Sequence, residues 1–174
     1  MSLQVDRRYV FKKARREQAD ALFSLYREVI DAGRRNGTTH WSDDYPTREF
    51  LDEDIALQRI FVLEEVTIDN AAIVASVVLL ETDDLDEEPL DWQTLRSCAP
   101  VRLCVAPQYQ GRGIGRLVMQ YLIAHAKEQG YQSMRLLAEV NGVAANHLYQ
   151  RLGFTRLGAV ALYGKTFNAY ELVF

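Results

Sequence analysis

A glycine-rich loop between a strand and a helix constrains this chain more than any other feature. The segment covers residues 101–115 and reads Val-Arg-Leu-Cys-Val-Ala-Pro-Gln-Tyr-Gln-Gly-Arg-Gly-Ile-Gly. Gly111, Gly113 and Gly115 allow backbone turns that a Cβ atom disfavours, and they leave successive amide N–H groups directed at one spot. The loop therefore predicts a cradle for an anion such as a pyrophosphate.

The residues that follow the loop predict a helix. Apolar side chains recur at helical spacing at Ile114, Leu117, Val118, Tyr121 and Leu122. Gly130 then marks the end of the helix. The N-terminus of a helix supplies unpaired amide donors and the positive end of the helix dipole, which both favour a bound anion. Taken alone, the same residues also fit a tight turn that binds nothing.

A second motif lies about 25 residues further along the chain, at residues 141–154. It reads Asn-Gly-Val-Ala-Ala-Asn-His-Leu-Tyr-Gln-Arg-Leu-Gly-Phe and predicts a short helix that ends at Gly153, a residue suited to a left-handed C-cap. One packed stripe of this helix is expected to consist of Ala145, Leu148 and Leu152. Asn146 and Tyr149 are three residues apart, so they are expected to share a neighbouring face.

Together the two motifs resemble those of the GNAT superfamily of acyl-CoA N-acetyltransferases, in its small single-domain bacterial form. The family marks are Gln/Arg-x-x-Gly-x-Gly/Ala after a strand, and then Asn-x-x-Ala-x-x-Leu-Tyr-x-x-x-Gly-Phe. Here the first motif is Gln-Gly-Arg-Gly-Ile-Gly at residues 110–115, and the second runs from Ala145 to Phe154 without its first asparagine. The family position for that asparagine falls on Gly142. Asn141 stands one residue early, so both Asn141 and Asn146 are candidates for the cofactor contact.

The rest of the chain supplies the other elements of that fold. Strands are predicted at residues 9–13, 60–66 and 73–81, then one that ends at 105, and further strands at 133–140, 154–160 and 167–174. The first helix has an apolar face from Leu22 to Gly33 and is expected to end at Asn36-Gly37, the second is expected to start at Pro46-Thr47, and two more are expected at 114–129 and up to 152. This gives the order β-α-α-β-β-β-α-β-α-β-β, an α/β (α+β) mixed sheet with helices on both faces, which is the GNAT order. We expect residues 1–174 to form one domain.

The resemblance implies that acetyl-CoA is the cosubstrate and that no metal takes part. Its pyrophosphate is expected on the amides of residues 111–116, and its pantetheine arm beside residues 103–105. The implied cofactor contacts are Leu103, Cys104, Val105, Gln110, Gly111, Arg112, Gly113, Ile114, Gly115, Arg116, Asn141 and Asn146. Arg112 and Arg116 would add charge-assisted contacts to the phosphates, and each fits a solvent-facing position equally well.

The resemblance also implies direct attack by an amine in a ternary complex. The backbone N–H at about Val105 would hold the acetyl carbonyl as an oxyanion hole. Tyr149 would protonate the departing coenzyme A thiolate, because a phenol with a pKa of about 10 stays protonated at neutral pH. The competing interpretation is that Tyr149 only packs or orients the thioester.

The general base is predicted less directly. Glu139 lies at the end of the strand before the second motif, but the family position for a catalytic carboxylate counts back to Leu137. A surface carboxylate is therefore the competing interpretation of Glu139. Glu81 is the next candidate for the base. His147 is expected to face solvent, and His40 lies in a loop that could reach the acceptor.

The acceptor side is expected at residues 31–47, between the first two helices. This segment holds His40, Trp41, Asp43, Asp44 and Tyr45, and its aromatic and acidic groups suit a cationic amine. The same composition also describes an ordinary loop anchored by a buried tryptophan and tyrosine. The acidic residues at 83–88 are interpreted as a solvated turn.

Composition narrows the class of protein. The chain has 174 residues, 48% of them hydrophobic, and a net charge of −4, which argues against a nucleic-acid or membrane-surface binder. Without a signal peptide or membrane span it is expected to be cytoplasmic. Cys98 and Cys104 are interpreted as buried thiols.

Two functions from different classes remain. The first is an N-acetyltransferase that uses a small-molecule or peptide amine, with a homodimer expected only by analogy with the family. The second is a non-catalytic acyl-CoA binding or sensing module. Binding of a dinucleotide is excluded because the loop glycines have the wrong spacing and no acidic residue closes a βαβ unit.

Overall fold

The computed structural model describes residues 8–38, 41–81 and 84–174. His40 and Asp83 lie outside the described residues. The chain divides into two compact units, of which the first contains Met1–Val78 and Arg102–Val118 and the second Leu79–Val101 and Met119–Phe174. The expectation of a single domain at residues 1–174 stays a prediction.

Seven strands and four helices form within the described residues, in the order predicted from the sequence. The strands are β1 (Tyr9–Lys13), β2 (Ile60–Val66), β3 (Ala71–Leu80), β4 (Ser97–Val105), β5 (Ser133–Glu139), β6 (Thr155–Leu162) and β7 (Lys165–Val173). The helices are α1 (Ala19–Asn36), α2 (Arg48–Ala56), α3 (Ile114–Glu128) and α4 (Val143–Arg151). The strand order is β1-β2-β3-β4-β5-β7-β6, so the predicted mixed α/β fold is confirmed.

The first unit is built on the antiparallel strands β1, β2 and β3. Tyr9 pairs with Glu65, and Ile60 pairs with Val78. Asn70 closes the β2–β3 hairpin by accepting a hydrogen bond from the Thr67 N–H at 2.8 Å, as expected for turn residues between two apolar runs. Val62, Leu63, Val74 and Val77 are fully buried, which explains why these strands are rich in β-branched residues.

Local signals set the ends of the first two helices. Gly37 has a φ of 73° and ends α1, since a left-handed C-cap suits glycine. The Thr47 side chain accepts a hydrogen bond from the Phe50 N–H and so caps the start of α2. Both ends agree with the sequence-based expectation.

The second unit is built on β5, β6 and β7 with the start of β4. Ser97 of β4 pairs with Ser133 of β5 in parallel, and Glu139 at the end of β5 pairs with Phe167 of β7. β6 and β7 form an antiparallel hairpin that turns at Tyr163 and Gly164. β4 and α3 each begin in one unit and end in the other.

A buried ionic network ties the second unit together around Arg135 of β5. Its guanidinium contacts Glu171 of β7 at 3.2 Å and Asp86 at 2.7 Å, and it also donates to the Thr94 carbonyl. Glu171 accepts a further hydrogen bond from Ser133 at 2.7 Å. The segment before β4 is therefore held to β5 and β7 by charge-assisted hydrogen bonds.

Two details differ from the sequence-based expectation. Gly115 lies inside the first turn of α3, and only Gly111 and Gly113 have a positive φ, because the helix starts one residue before Gly115. On α4 the buried residues are Asn146 and Tyr149, and the expected stripe of Ala145, Leu148 and Leu152 is only partly buried. The stripe is less buried than expected because the polar pair, with its partners on β7, occupies the inner face.

Candidate active site

The loop after β4 turns through two glycines before α3 begins. β4 ends at Val105, and a single 3-10 turn from Pro107 to Tyr109 follows. Gly111 and Gly113 then have φ values of 73° and 79°, a left-handed conformation that glycine adopts without steric cost. The Gln110 side chain donates to the Val105 carbonyl at 3.0 Å and fixes the start of the loop against the strand end.

The loop leaves a row of backbone amides without acceptors. Within the described part of the chain, the N–H groups of residues 111–116 donate no hydrogen bond of good geometry, whereas the Leu117 N–H donates to the Gly113 carbonyl at 3.0 Å. A Cβ atom built on Gly111 or Gly113 would meet nothing within 4 Å. The first unit therefore presents open, unpaired donors at a helix N-terminus, the arrangement that binds phosphate groups.

Two arginines and a tyrosine flank these amides. Arg112 and Arg116 are exposed, and the Arg112 guanidinium lies 5.6 Å from the centre of the Tyr109 ring. The Tyr109 hydroxyl donates to the Glu65 carboxylate, which also raises the pKa of Tyr109. The positive charge of Arg112 is thus held over a fixed ring at the edge of the loop.

The end of β4 presents its backbone rather than a reactive side chain. Leu103 and Val105 are half-buried, while Cys104 is buried and its sulfur contacts the Ser76 hydroxyl at 3.3 Å. Burial raises the pKa of Cys104 to about 11, and that of Cys98 to about 12. Both thiols are therefore protonated at neutral pH, and the prediction that they are buried is confirmed.

Tyr149 lies on the inner face of α4 in the second unit. It is 9% exposed, and its ring contacts Phe154 and Tyr170 at centroid distances of 5.7 and 6.2 Å. Burial raises the pKa of Tyr149 to about 12. Its hydroxyl therefore stays protonated well above neutral pH and can act only as a proton donor or hydrogen-bond partner there.

Asn146 joins the start of α4 to β5 and β7. Its side-chain nitrogen donates to the Glu139 and Gly142 carbonyls, both at 2.8 Å. Its oxygen accepts from Asn168 at 2.9 Å and from the Tyr170 hydroxyl at 2.8 Å. All the hydrogen-bonding capacity of this amide is used inside the second unit, whereas the side chain of Asn141 is exposed.

The candidate general bases have different surroundings. The Glu139 carboxylate accepts a hydrogen bond from the Lys165 ammonium and is only 21% exposed. Glu81 is exposed and interacts with Tyr131, whose pKa is raised by burial and by this carboxylate. His147 is exposed, as predicted. Among the described residues, no group of three or more His, Cys, Asp or Glu side chains could hold a metal ion.

The predicted acceptor segment is held by aromatic and ionic contacts within the first unit. Trp41 packs edge-on against Tyr26 of α1, with 5.2 Å between ring centroids. Asp43 accepts hydrogen bonds from both Arg27 and Arg34, which lower its pKa. Its negative charge is therefore already neutralised by two guanidinium groups, and the composition alone could not reveal that pairing.

Two charged residues of this region were not singled out from the sequence. Arg102 of β4 and Asp54 of α2 form a buried ion pair of 2.5 Å. Arg102 interrupts an apolar run between Val101 and Leu103. Asp54 follows two other acidic residues in a charged helix and gives no such signal. A charged residue inside a buried element is the signal that could have found Arg102.

Comparison with sequence families identifies a matching family model. A family model described as "Acetyltransferase (GNAT) domain" matches residues 51–156. The mycothiol acetyltransferase of Gordonia bronchialis is 39% identical over 61 residues, which cover 35% of this chain and 20% of that protein. That of Paenarthrobacter aurescens is 37% identical over 60 residues, which cover 34% and 19%. The chain thus spans about a fifth of the length of these curated relatives.

Solved structures resemble the chain over almost all its length. A GNAT-family acetyltransferase of Streptococcus agalactiae superimposes with a TM-score of 0.80 and 20% identity, over 95% of each chain. The yncA acetyltransferase of Salmonella typhimurium, solved with its cofactor acetyl-CoA, gives a TM-score of 0.67 and 18% identity, over 95% of this chain and 94% of that one. At sequence identities of 20% and 18%, the structural similarity establishes the fold alone.

Proposed function

The chain belongs to the GNAT acetyltransferase family, and on this premise we propose that it transfers the acetyl group of acetyl-CoA to a primary amine. The acceptor is a small molecule, a peptide or a protein, and the amine attacks directly in a ternary complex. The observation that carries the proposal is the row of unpaired amides at residues 111–116. These donors at the start of α3 suit the pyrophosphate of coenzyme A.

The residues of the loop fit this cofactor. Gly111 and Gly113 hold the turn open, and an added Cβ atom would find free space at both, so a phosphate could approach the backbone closely. The exposed guanidinium groups of Arg112 and Arg116 supply further donors and positive charge. The cofactor would supply the activated acetyl thioester. The backbone of Leu103, Cys104 and Val105 would run beside its pantetheine arm.

The side chains of the second motif take separate parts in the proposal. Asn141 has an exposed side chain and is the candidate that could meet the cofactor directly. Asn146 is the alternative, although its amide already makes four hydrogen bonds. Tyr149 donates the proton that the coenzyme A thiolate needs, because its phenol stays protonated at neutral pH. The Val105 N–H polarises the acetyl carbonyl.

We assign the general base to Glu139. A carboxylate paired with Lys165 is held in one place by a charge-assisted hydrogen bond, and the neighbouring Glu139 carbonyl is fixed by Asn146. The amine must lose a proton before it attacks, and a positioned carboxylate can accept it directly or through one water molecule. Glu81 is the alternative base.

The proposal specifies no part of the acceptor other than its amine group. The curated relatives are named mycothiol acetyltransferases, and the similarity covers 35% of this chain in the first of them. It therefore supports acetyl transfer rather than mycothiol synthesis by this protein. Within the described residues, no helix is both long and apolar enough to cross a membrane. A cytoplasmic location and a homodimer stay predictions.

The proposed activity is tested by incubating the protein with acetyl-CoA and a panel of primary amines. We expect free coenzyme A thiol and an N-acetylated amine to appear in equal amounts, measured by a thiol reagent and by mass spectrometry. The protein boiled before the assay is the control. Binding of acetyl-CoA by calorimetry without thiol release on any amine would contradict the proposal and favour a sensing module.

Replacement of Tyr149 by phenylalanine tests the acid. Tyr149→Phe removes the proton donor and keeps the ring, so we expect kcat to fall about 100-fold while KM for acetyl-CoA stays unchanged. Tyr163→Phe, which changes a 71% exposed tyrosine in the β6–β7 turn, is the matched control. A kcat within twofold of the wild type would show that Tyr149 only packs.

Replacement of Glu139 by glutamine tests the base through the pH profile of kcat/KM. If Glu139 is the base, Glu139→Gln abolishes the acidic limb of that profile. Glu128→Gln alters an exposed glutamate at the end of α3 and serves as the control. An unchanged acidic limb in Glu139→Gln would transfer the assignment to Glu81.

A further inference from the structure

Arg102 adopts a left-handed backbone conformation inside a strand. Its φ is 53°, although it lies within β4 rather than at a turn. The other two described non-glycine residues with positive φ, Gln58 and Tyr163, lie outside strands and helices, after α2 and between β6 and β7. A strained backbone conformation persists only when the surrounding structure maintains it, and such conformations cluster at functional sites. The position of Arg102 is therefore a candidate functional site.

The guanidinium of Arg102 is held from three sides within the first unit. Its Nη2 contacts Asp54 Oδ2 at 2.5 Å, and its Nη1 donates to the Tyr45 hydroxyl at 3.2 Å. Its centre also lies 5.5 Å from the Phe50 ring. The Arg102 side chain is 9% exposed and that of Asp54 is 4% exposed, so the pair is almost completely removed from water.

One donor of this fixed guanidinium has no partner. Among the described residues, the buried side-chain polar atoms without a hydrogen bond are Arg102 Nε and the Tyr26 hydroxyl. Besides Cys104 and the Ser76 side chain, the charges of Arg102 and Asp54 act on the Tyr26 hydroxyl, so the two buried groups lie in one neighbourhood. Burial raises the pKa of Tyr26 far above its usual value and keeps the phenol protonated. Neither Arg102 Nε nor the Tyr26 hydroxyl therefore donates a hydrogen bond of good geometry to a described residue.

The charge balance around these donors favours an anion. Asp54 has two cationic neighbours, Arg102 and, at 4.0 Å, Arg59. Asp43, an acidic residue of the neighbouring acceptor segment, is paired with Arg27 and Arg34. The carboxylates of Asp54 and Asp43 are therefore already paired with cations. The N–H at Arg102 Nε has no partner among the described residues and can donate to an oxygen.

We propose that Arg102 Nε and the Tyr26 hydroxyl bind a carboxylate oxygen of the acceptor, which is therefore an amine of the amino-acid class. The proposal rests on the proposed acetyl transfer, and it narrows the acceptor of that reaction. A carboxylate supplies the acceptor atom that both orphaned donors lack, and it balances the excess guanidinium charge.

The test compares amines that differ only in the carboxylate. The pairs are alanine with ethylamine, phenylalanine with phenethylamine, and lysine with cadaverine. We expect kcat/KM for acetylation to be at least tenfold higher for the carboxylated member of each pair that reacts. Equal rates, or a preference for the decarboxylated member, would overturn the inference while leaving acetyl transfer itself established.

Variants of Arg102 and Tyr26 test whether these two residues bind the carboxylate. Tyr26→Phe removes one orphaned hydroxyl, so we expect it to lower the carboxylate preference at least threefold without lowering the melting temperature. Arg102→Met combined with Asp54→Asn removes the whole ion pair, so no unpaired buried charge remains, and should abolish the preference. Tyr163→Phe is the control and should keep it. A preference unchanged in both Tyr26→Phe and the double variant would overturn the inference.

A binding measurement separates this inference from the proposed function. Calorimetry with saturating coenzyme A and alanine or ethylamine needs no turnover. Binding of alanine with at least tenfold higher affinity than ethylamine would support the carboxylate site even if no amine were acetylated. Indistinguishable binding of the two would count against the site, whatever the assay for acetyl transfer shows.

Discussion

The unpaired backbone amides of residues 111–116 are the feature on which the proposed chemistry depends. An exposed row of unpaired donors at a helix N-terminus, together with the positive end of the helix dipole, is suited to an anionic ligand. Two glycines with positive φ produce the row, and Gln110 fixes its start to the end of β4. In the proposed function, the cofactor would thus be recognised by backbone geometry, and few side chains of the loop would be required.

The second unit places its functional side chains by a different means, a network of side-chain hydrogen bonds. Asn146 binds the carbonyl of Glu139 and the side chains of two residues of β7, and it lies three residues before Tyr149 on α4. Arg135 and Glu171 hold the other end of the same strands. Because Asn146, Arg135 and Glu171 are each held by several hydrogen bonds, the orientation of α4 is fixed, and the proposed acid is carried on a rigid helix.

Much of the fold could be predicted from the sequence, because glycines, caps and apolar runs act locally. Gly37 ends α1, Thr47 caps α2, and β1 and β2 have the predicted bounds. The pairing of polar groups could not be predicted. Asp43 suggested a cation site until its two arginines were located, and the inner face of α4 proved to be polar because Asn146 finds partners on β7. Arg102 and Asp54 form an ion pair although they are 48 positions apart in the sequence. At that separation, sequence spacing does not predict a contact.

The affinity of two glycine variants for coenzyme A tests most directly whether the loop amides hold the cofactor. Gly113 and Gly164 have φ values of 79° and 74°, and an added Cβ atom meets nothing within 4 Å at either, so alanine should cost about 1–2 kcal/mol of strain at both. If the backbone moves to relieve this strain, the change at Gly113 would turn the amides of residues 111–116 away from the cofactor. The same change at Gly164 would alter only the β6–β7 turn. Calorimetry should therefore show at least tenfold weaker binding of coenzyme A for Gly113→Ala and unchanged binding for Gly164→Ala. Equal affinity of the two variants would contradict the assignment.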